Sequence, residues 1–356
     1  MAERARRQRL IIGTIVGIAI LGYLLWFPQQ HAAPDVRLWT TAIYFGIAAM
    51  GLNLLTGYNG QVSIGHGAFF GIGAYTTAIL VHDHGWSLLA TLPVAAAIAF
   101  VVGVAVGVPA LRVKGLYLAL VTLGLAVVFP DLTKKFVHGV GGTNLVRVPS
   151  ASLVAPSWVP SSMAAPDQWG FYLTLTIALL LLLAVWLIVR GRFGRALIAV
   201  RDHEAAATTV GVDLARTKVL AFALSALYAG LAGALSVQVT GIANAEKIGT
   251  FNLSILFLVA VVIGGTATVF GPLIGGFLVV MIQDQTTKFV ADPPFLPGFL
   301  GGKQVLSPAI FGILLIVLMY FLPDGIVGGF RRLLHRIARR RGRTSDPEPL
   351  AAPVGS

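Results

Sequence analysis

The 356-residue sequence contains no cysteine, and only 11% of its residues are charged. The missing thiol excludes a cysteine nucleophile, a Cys-ligated zinc and a disulfide framework. The scarcity of charge excludes more, because a soluble domain carries about 25% charged residues to keep its surface hydrated. Among the charged residues the acidic ones are the scarcer, 14 against 26 lysines and arginines, for a formal net charge of +12. A basic balance can mark a nucleic-acid binder. Here, however, most of the cationic residues gather at the two ends and in one internal loop, between apolar runs. That is the pattern of cytoplasmic loops in a membrane protein, and it argues against nucleic acid as a partner.

Apolar residues are abundant, at 56% of the chain, with a mean hydropathy of +0.84. Runs bounded by charge, proline or glycine clusters fall at 10–27, 38–56, 62–81, 86–110, 115–130, 171–189, 219–241, 253–264, 271–288 and 305–322. The expected fold is therefore an all-α polytopic membrane protein of about ten transmembrane helices, with lipid as its surroundings. The first run follows Arg4, Arg6, Arg7 and Arg9 and reads as a retained span rather than a cleaved signal. The fifth and eighth fall short of the roughly 20 residues a span needs, which predicts tilted, broken or re-entrant segments.

Orientation follows from the lysines and arginines of short loops. A cytoplasmic N-terminus puts Arg112 and Lys114 inside, then the loop holding Arg190, Arg192, Arg195, Arg201, Arg216 and Lys218, and finally the cluster from Arg331 to Arg343. Both termini are thus expected in the cytoplasm. Residues 1–330 read as the transmembrane domain and 331–356 as a basic, then disordered, cytoplasmic tail. The segments 131–170 and 289–304, poor in charge and containing several prolines, fall on the outer face.

Two segments carry chemistry. From Gly51 to Tyr75 an apolar span enters a glycine-dense polar break and leaves into another span. Non-helical backbone at membrane depth has to be buried in protein or line a watery cavity. Two readings stay open: close helix packing around a cytoplasmic turn, or a substrate path lined or gated by Asn53, Gln61, Ser63 and His66. Taken alone, His66 reads as a histidine satisfied within the core. The second segment is the loop from Gly194 to Lys218. Asp202 is a plausible N-cap, Ala205, Ala206 and Ala207 favour helix, and Gly211 fits the position that ends it. A short helix is predicted across the cytoplasmic face, placed to enter a cleft on a partner.

The Glu204-Ala205-Ala206 run with a glycine shortly after resembles the coupling motif of bacterial ABC importer permeases. Gly211, seven residues after Glu204, is one residue wider than the general pattern and is similar to the branched-chain amino acid permease family, in its LivM-type branch. The resemblance extends over Gly51 to Tyr75, Gly194 to Leu235, Val261 to Gly265, Phe270 to Gly275 and Leu322 to Ile326. It implies an importer subunit in the bacterial inner membrane that forms half of a pathway for leucine, isoleucine or valine. It implies a second homologous permease, two cytoplasmic ATPase subunits and an extracytoplasmic substrate-binding protein as partners. Arg201, Asp202, Glu204, Ala205, Ala206 and Gly211 would form the ATPase-coupling element. Urea and short-amide permeases look much the same, so those cargoes stay open.

No enzyme activity, cofactor or metal site is expected in the chain itself. Gly298 to Lys303 lacks the spacing and the Ser or Thr of a phosphate loop, and Gln304 follows the lysine. An ion-coupled secondary transporter is the alternative from another class. It would place acids within its spans, where these runs hold almost none. Asp284 lies at a span edge, four residues before Lys288, as a local ion pair.

Overall fold

The computed structural model describes residues 17–111, 116–137, 145–149, 153–291, 306–321, 325–329 and 332. The start of the first expected span, residues 289–304 beyond Ala291, and the expected tail apart from Arg332 lie outside these residues.

Twelve helices follow one another in the described chain: α1 (17–30), α2 (Ala33–Asn53), α3 (His66–His84), α4 (Leu88–Ala110), α5 (Leu116–Phe136), α6 (Pro166–Arg190), α7 (Arg192–Asp202), α8 (Glu204–Thr209), α9 (Leu214–Thr240), α10 (Phe251–Gly264), α11 (Gly271–Ala291) and α12 (Leu306–Phe321). A further helical turn covers 325–329. The protein is an α-helical membrane protein, and five of these helices are long and apolar enough to cross a bilayer by length and composition. Ten helices coincide with the ten apolar runs; α7 and α8 are the additional pair. One departure from an all-helical chain is small: β1 (Leu145–Arg147) pairs antiparallel with β2 (Ile242–Asn244), Val146 opposite Ala243.

The fifth segment is longer than its sequence implied. It runs through Pro130 to Phe136, although proline lacks the N–H that would close a helical bond. Thr133 bonds through its hydroxyl to the carbonyl oxygens of Phe129 and Pro130, at 3.2 and 2.7 Å. The eighth segment, α10, is short as expected. Its 14 residues rise about 21 Å, against a hydrocarbon core of about 30 Å.

The core is built around α9, which packs on α2, α3 and α4. Small residues fill its buried faces, among them Ala226, Ala229, Gly230, Ala232, Gly233 and Ala234. Lipid offers helices no hydrophobic gain on associating, so close backbone approach through small residues takes that place. A Cβ at Gly73 of α3 would overlap the carbonyl oxygen of Gly230, and one at Gly233 would overlap that of Phe70. The opposite sides of the bundle present apolar side chains outward, such as Tyr117, Val127 and Phe136 of α5 and Ile316 of α12.

Loops meet in two groups, at opposite ends of the bundle. At one end the end of α1 bonds to the start of α6 (Tyr172 Oη–H to Leu25 O, 2.9 Å), Arg37 pairs with Asp167 at 2.6 Å, and β1 joins β2. At the other end the turn after α2 meets the α10–α11 turn and the α7–α8 elbow.

The α3–α9 contact is the tightest test of this packing. Gly73→Leu should cost about 3 kcal/mol through overpacking, read as a lower Tm in detergent and loss of the monodisperse species. Gly124→Leu, at a position with nothing within 4 Å, should change neither.

Candidate functional site

The sequence singled out two segments, and the structure brings them together. A cleft of about 150 Å³ opens between them, lined by Asn59, Gly60, Gln61 and Val62 from the turn after α2 and by Val200 to Glu204 from the α7–α8 elbow, with Leu118 and Lys218.

On the first side, α2 passes into a π-helical turn at Leu54–Tyr58, a form common at functional places in helices. Gln61 N–H closes the turn on Leu55 O at 3.1 Å, and the Thr56 hydroxyl donates to Gln61 O at 3.1 Å. The four residues of the expected substrate path are all buried, and of them Gln61 lines this cleft. Asn53 donates through Nδ2 to Thr268 O at 2.8 Å and accepts at Oδ1 from Ala267 N–H at 2.9 Å. It therefore joins the first glycine break to the second. Ala267 has φ 54°, a left-handed conformation that costs a non-glycine residue about 1 kcal/mol or more, and Asn53 holds it there. His66 bonds through Nε2 to Ala48 O at 2.9 Å, with Nδ1 at 3.4 Å from Ser225 Oγ. A carbonyl only accepts, so Nε2 carries the proton and Nδ1 accepts from the serine hydroxyl. His66 is thus the satisfied core histidine that its position implied. Gln61 accepts from Asn59 Nδ2 at 2.8 Å and lines the cleft. Ser63 is buried, and its hydroxyl has no hydrogen-bond partner.

On the second side the predicted short helix is present as α8, and a further helix, α7, precedes it; the two meet at His203, where the backbone is extended (φ −159°, ψ 100°). The N-cap of α8 is His203, whose Nδ1 accepts from Ala206 N–H at 3.4 Å, and not Asp202. Asp202 ends α7 instead and pairs with Arg201. A carboxylate at the preceding helix's C-terminus faces an adverse dipole, which the arginine offsets. The far end of α8 follows expectation. Gly211 has φ 84°, its N–H bonds to Thr208 O and that of Val212 to Ala207 O, both at 3.0 Å. This double bond pattern is the Schellman closure that favours glycine.

Two contacts tie the elbow to the bundle, and the sequence reading missed both. Lys218 Nζ lies 2.6 Å from Glu204 Oε1, with the lysine side chain 9% exposed and the glutamate 34%. Arg201 donates through Nη1 to Gly57 O at 3.0 Å. The available signal was Lys218 itself, a cation inside the apolar helix α9. Outward from these anchors, Ala205, Ala206, Thr208, Thr209 and Val210 are exposed while Ala207 is buried. Val210 is 77% exposed, an apolar tip at the bundle's end.

Among the described residues no three His, Asp or Glu side chains gather in a metal-binding group. Asp284 pairs with Lys288 at 2.8 Å, as its spacing implied.

The sequence is similar to those of known proteins. Residues 36–323 match the family model described as branched-chain amino acid transport system / permease component. The chain is 28% identical to the high-affinity branched-chain amino acid transport system permease protein LivM of Salmonella typhimurium, over 90% of this chain and 75% of the relative. The LivM protein of Escherichia coli is likewise 28% identical, over 87% and 74% of the two chains. The LivH permease protein of Escherichia coli is 25% identical over 85% of this chain and 96% of its own. No solved structure matches. With four-fifths of its length inside that family model, and with the elbow, the paired glycine breaks and the helical bundle in place, the chain belongs to the permease components of branched-chain amino acid transport systems.

Proposed function

We propose that this chain is one permease subunit of an ATP-driven importer in the bacterial inner membrane and forms half of a pathway for leucine, isoleucine or valine. The observation that carries the reading is the α7–α8 elbow. A six-residue helix too short to persist alone is capped at both ends, fastened to the bundle by an ion pair, and turned with its small and apolar residues outward. Its occupant is a cytoplasmic ATPase subunit, which receives Ala205, Ala206 and Val210 in a cleft. Two such subunits, a second homologous permease and an extracytoplasmic binding protein complete the assembly.

The arrangement has about ten spans with both termini in the cytoplasm. It is supported by the grouping of loops. Alternating spans assign residues 57–61, 112–114, 191–218 and 265–270 to one side, and the contacts from Arg201 to Gly57 and from Asn53 to Ala267 join members of that set. Arg37 with Asp167, and β1 with β2, join members of the other set. An ion-coupled mechanism would want an unengaged acid within a span, whereas Asp284 is engaged by Lys288. The cargo rests on the relatives' names and on a largely apolar bundle, which suits a zwitterion with an aliphatic side chain.

Three outcomes test this reading. First, the chain has no cysteine, so single cysteines report sidedness cleanly. Cysteines at Ala2 and Gly342 should be shielded from an impermeant reagent in intact cells, and one at Ser161 should react. Labelling of either terminal site would end the ten-span arrangement. Second, proteoliposomes holding the complete complex and its binding protein should take up leucine in an ATP-dependent way. Uptake of urea alone, measured in parallel, would transfer the assignment to the amide carriers. Third, Glu204→Lys sets a second cation against the buried Lys218, and Gly211→Val opposes the left-handed exit. Both should insert normally, yet lose co-purifying ATPase and about tenfold of transport-linked ATP hydrolysis. Wild-type uptake and hydrolysis in the Glu204→Lys complex would remove α8 from the coupling role.

A further inference from the structure

Docking of α8 leaves two features of the cleft unused. The first is Asn59. It is 3% exposed, lines the cleft, and donates through Nδ2 to Gln61 Oε1 at 2.8 Å. Its own oxygen, Oδ1, is buried without a hydrogen-bond partner. A buried acceptor left in this state costs about 1–3 kcal/mol, and such groups in a folded protein call for an explanation. Asparagine holds its donors and its acceptor on one small plane, so packing alone would be served at lower cost by leucine.

The second feature is Arg201, on the opposite wall of the same cleft. Its guanidinium has five N–H donors in a fixed fork. Nε and Nη2 face the carboxylate of Asp202, and Nη1 reaches across to the carbonyl oxygen of Gly57. The arginine stem lies against Gly60, where an added Cβ would stand 2.8 Å from Arg201 Cγ. The guanidinium therefore belongs to the elbow that the ATPase would move, and its acceptor belongs to the π-helical turn of the first interrupted span. From Gly57 the contact continues inward: a Cβ there would overlap Asn53 Oδ1 and press on Ala267 N. Arg201, Gly57, Asn53 and the α10–α11 turn thus form one contiguous line from the cytoplasmic face to both glycine breaks.

We propose that Arg201 is a positioning residue that carries movement of the elbow into the interrupted spans by exchanging acceptors, from the carbonyl oxygen of Gly57 held here to Oδ1 of Asn59 in the opposite state of the cycle. Two acceptors on one short turn, one engaged and one waiting, give two discrete arrangements for a single donor, which is what a switching element requires. The exchange releases Gly57, and with it the hold on Asn53 and Ala267. The inference rests on α8 being the ATPase-facing element, and its test separates the two.

The measurement is substrate moved per ATP hydrolysed, in proteoliposomes containing the complete complex and the loaded binding protein. Asn59→Leu removes the waiting acceptor at similar volume, and Arg201→Gln shortens the donor and discharges it. Asn59→Leu leaves the elbow itself unaltered, so that complex should keep its ATPase subunits and the stimulation of hydrolysis by the binding protein, while Arg201→Gln is read by the ratio alone. In both, substrate moved per ATP should fall at least about fivefold. Asn59→Asp, which keeps an oxygen for the arginine, should restore the ratio. The double variant Asn59→Leu/Arg201→Gln should be no worse than Arg201→Gln alone, because both remove the same interaction. If Asn59→Leu does not assemble, Asn59→Ala takes its place in the cycle. Unchanged ratios in the single variants, or losses that simply multiply in the double one, would overturn the proposal and leave the docking of α8 standing. Wild-type coupling in Glu204→Lys would overturn both together.

Discussion

Two interrupted helices close on each other through one side chain. Lipid supplies no hydrogen bonds, so any peptide group released from a helix near the membrane must find a partner within the protein. Asn53, at the last turn of α2, supplies both kinds of partner at once: its amide nitrogen to Thr268 O and its oxygen to Ala267 N–H. Thr268 then uses its hydroxyl on Gly265 O and accepts from Gly271 N–H, at 2.6 and 3.1 Å. The second break is thereby satisfied by its own threonine and by an asparagine from more than two hundred residues earlier. The closing Gly325, packed against Gly265 and Val262 O, brings a third segment to the same point.

The remainder of the bundle allows this closure. α9 brings its small residues against α2, α3 and α4, so backbones approach to distances at which even a methyl group would overlap. Such packing is tight, because many of its contacts involve backbone atoms and short Cβ groups rather than flexible side-chain ends. Small-residue packing around α9 thus stands beside polar closure at the π-helical turn Leu54–Tyr58 and the turn at 265–270.

Much of this was legible in the sequence, and unevenly so. The apolar runs gave the helices within a few residues, since a span must be long and apolar whatever packs beside it. The exception was α5, where Pro130 reads locally as a stop and the helix runs past it, with Thr133 engaging the neighbouring carbonyls. Gly211 announced the end of α8 because a left-handed residue is a local demand that glycine meets best. The start of α8 was misplaced. Asp202 and His203 are adjacent, both can cap, and only the extended backbone at His203 decides between them. In the candidate path, residue types showed that Asn53 and His66 mattered but not in what role. Their partners, Thr268, Ala267, Ala48 and Ser225, are distant in sequence, and a single chain carries no mark of such pairings. The same holds for Lys218 with Glu204.

That last pair explains how so small a helix keeps its shape. Six residues form fewer than two turns, and a helix of that length melts in water. α8 keeps its shape through His203, the closure at Gly211 and the Lys218–Glu204 contact. Lys218 is largely withdrawn from solvent at the base of α9, so the ion pair is less screened than a surface one, and its loss would strand a charge. α8 is consequently folded only as an extension of α9 and α7. α9 joins it to the centre of the bundle, and α7, through Arg201, joins it to the turn at Gly57.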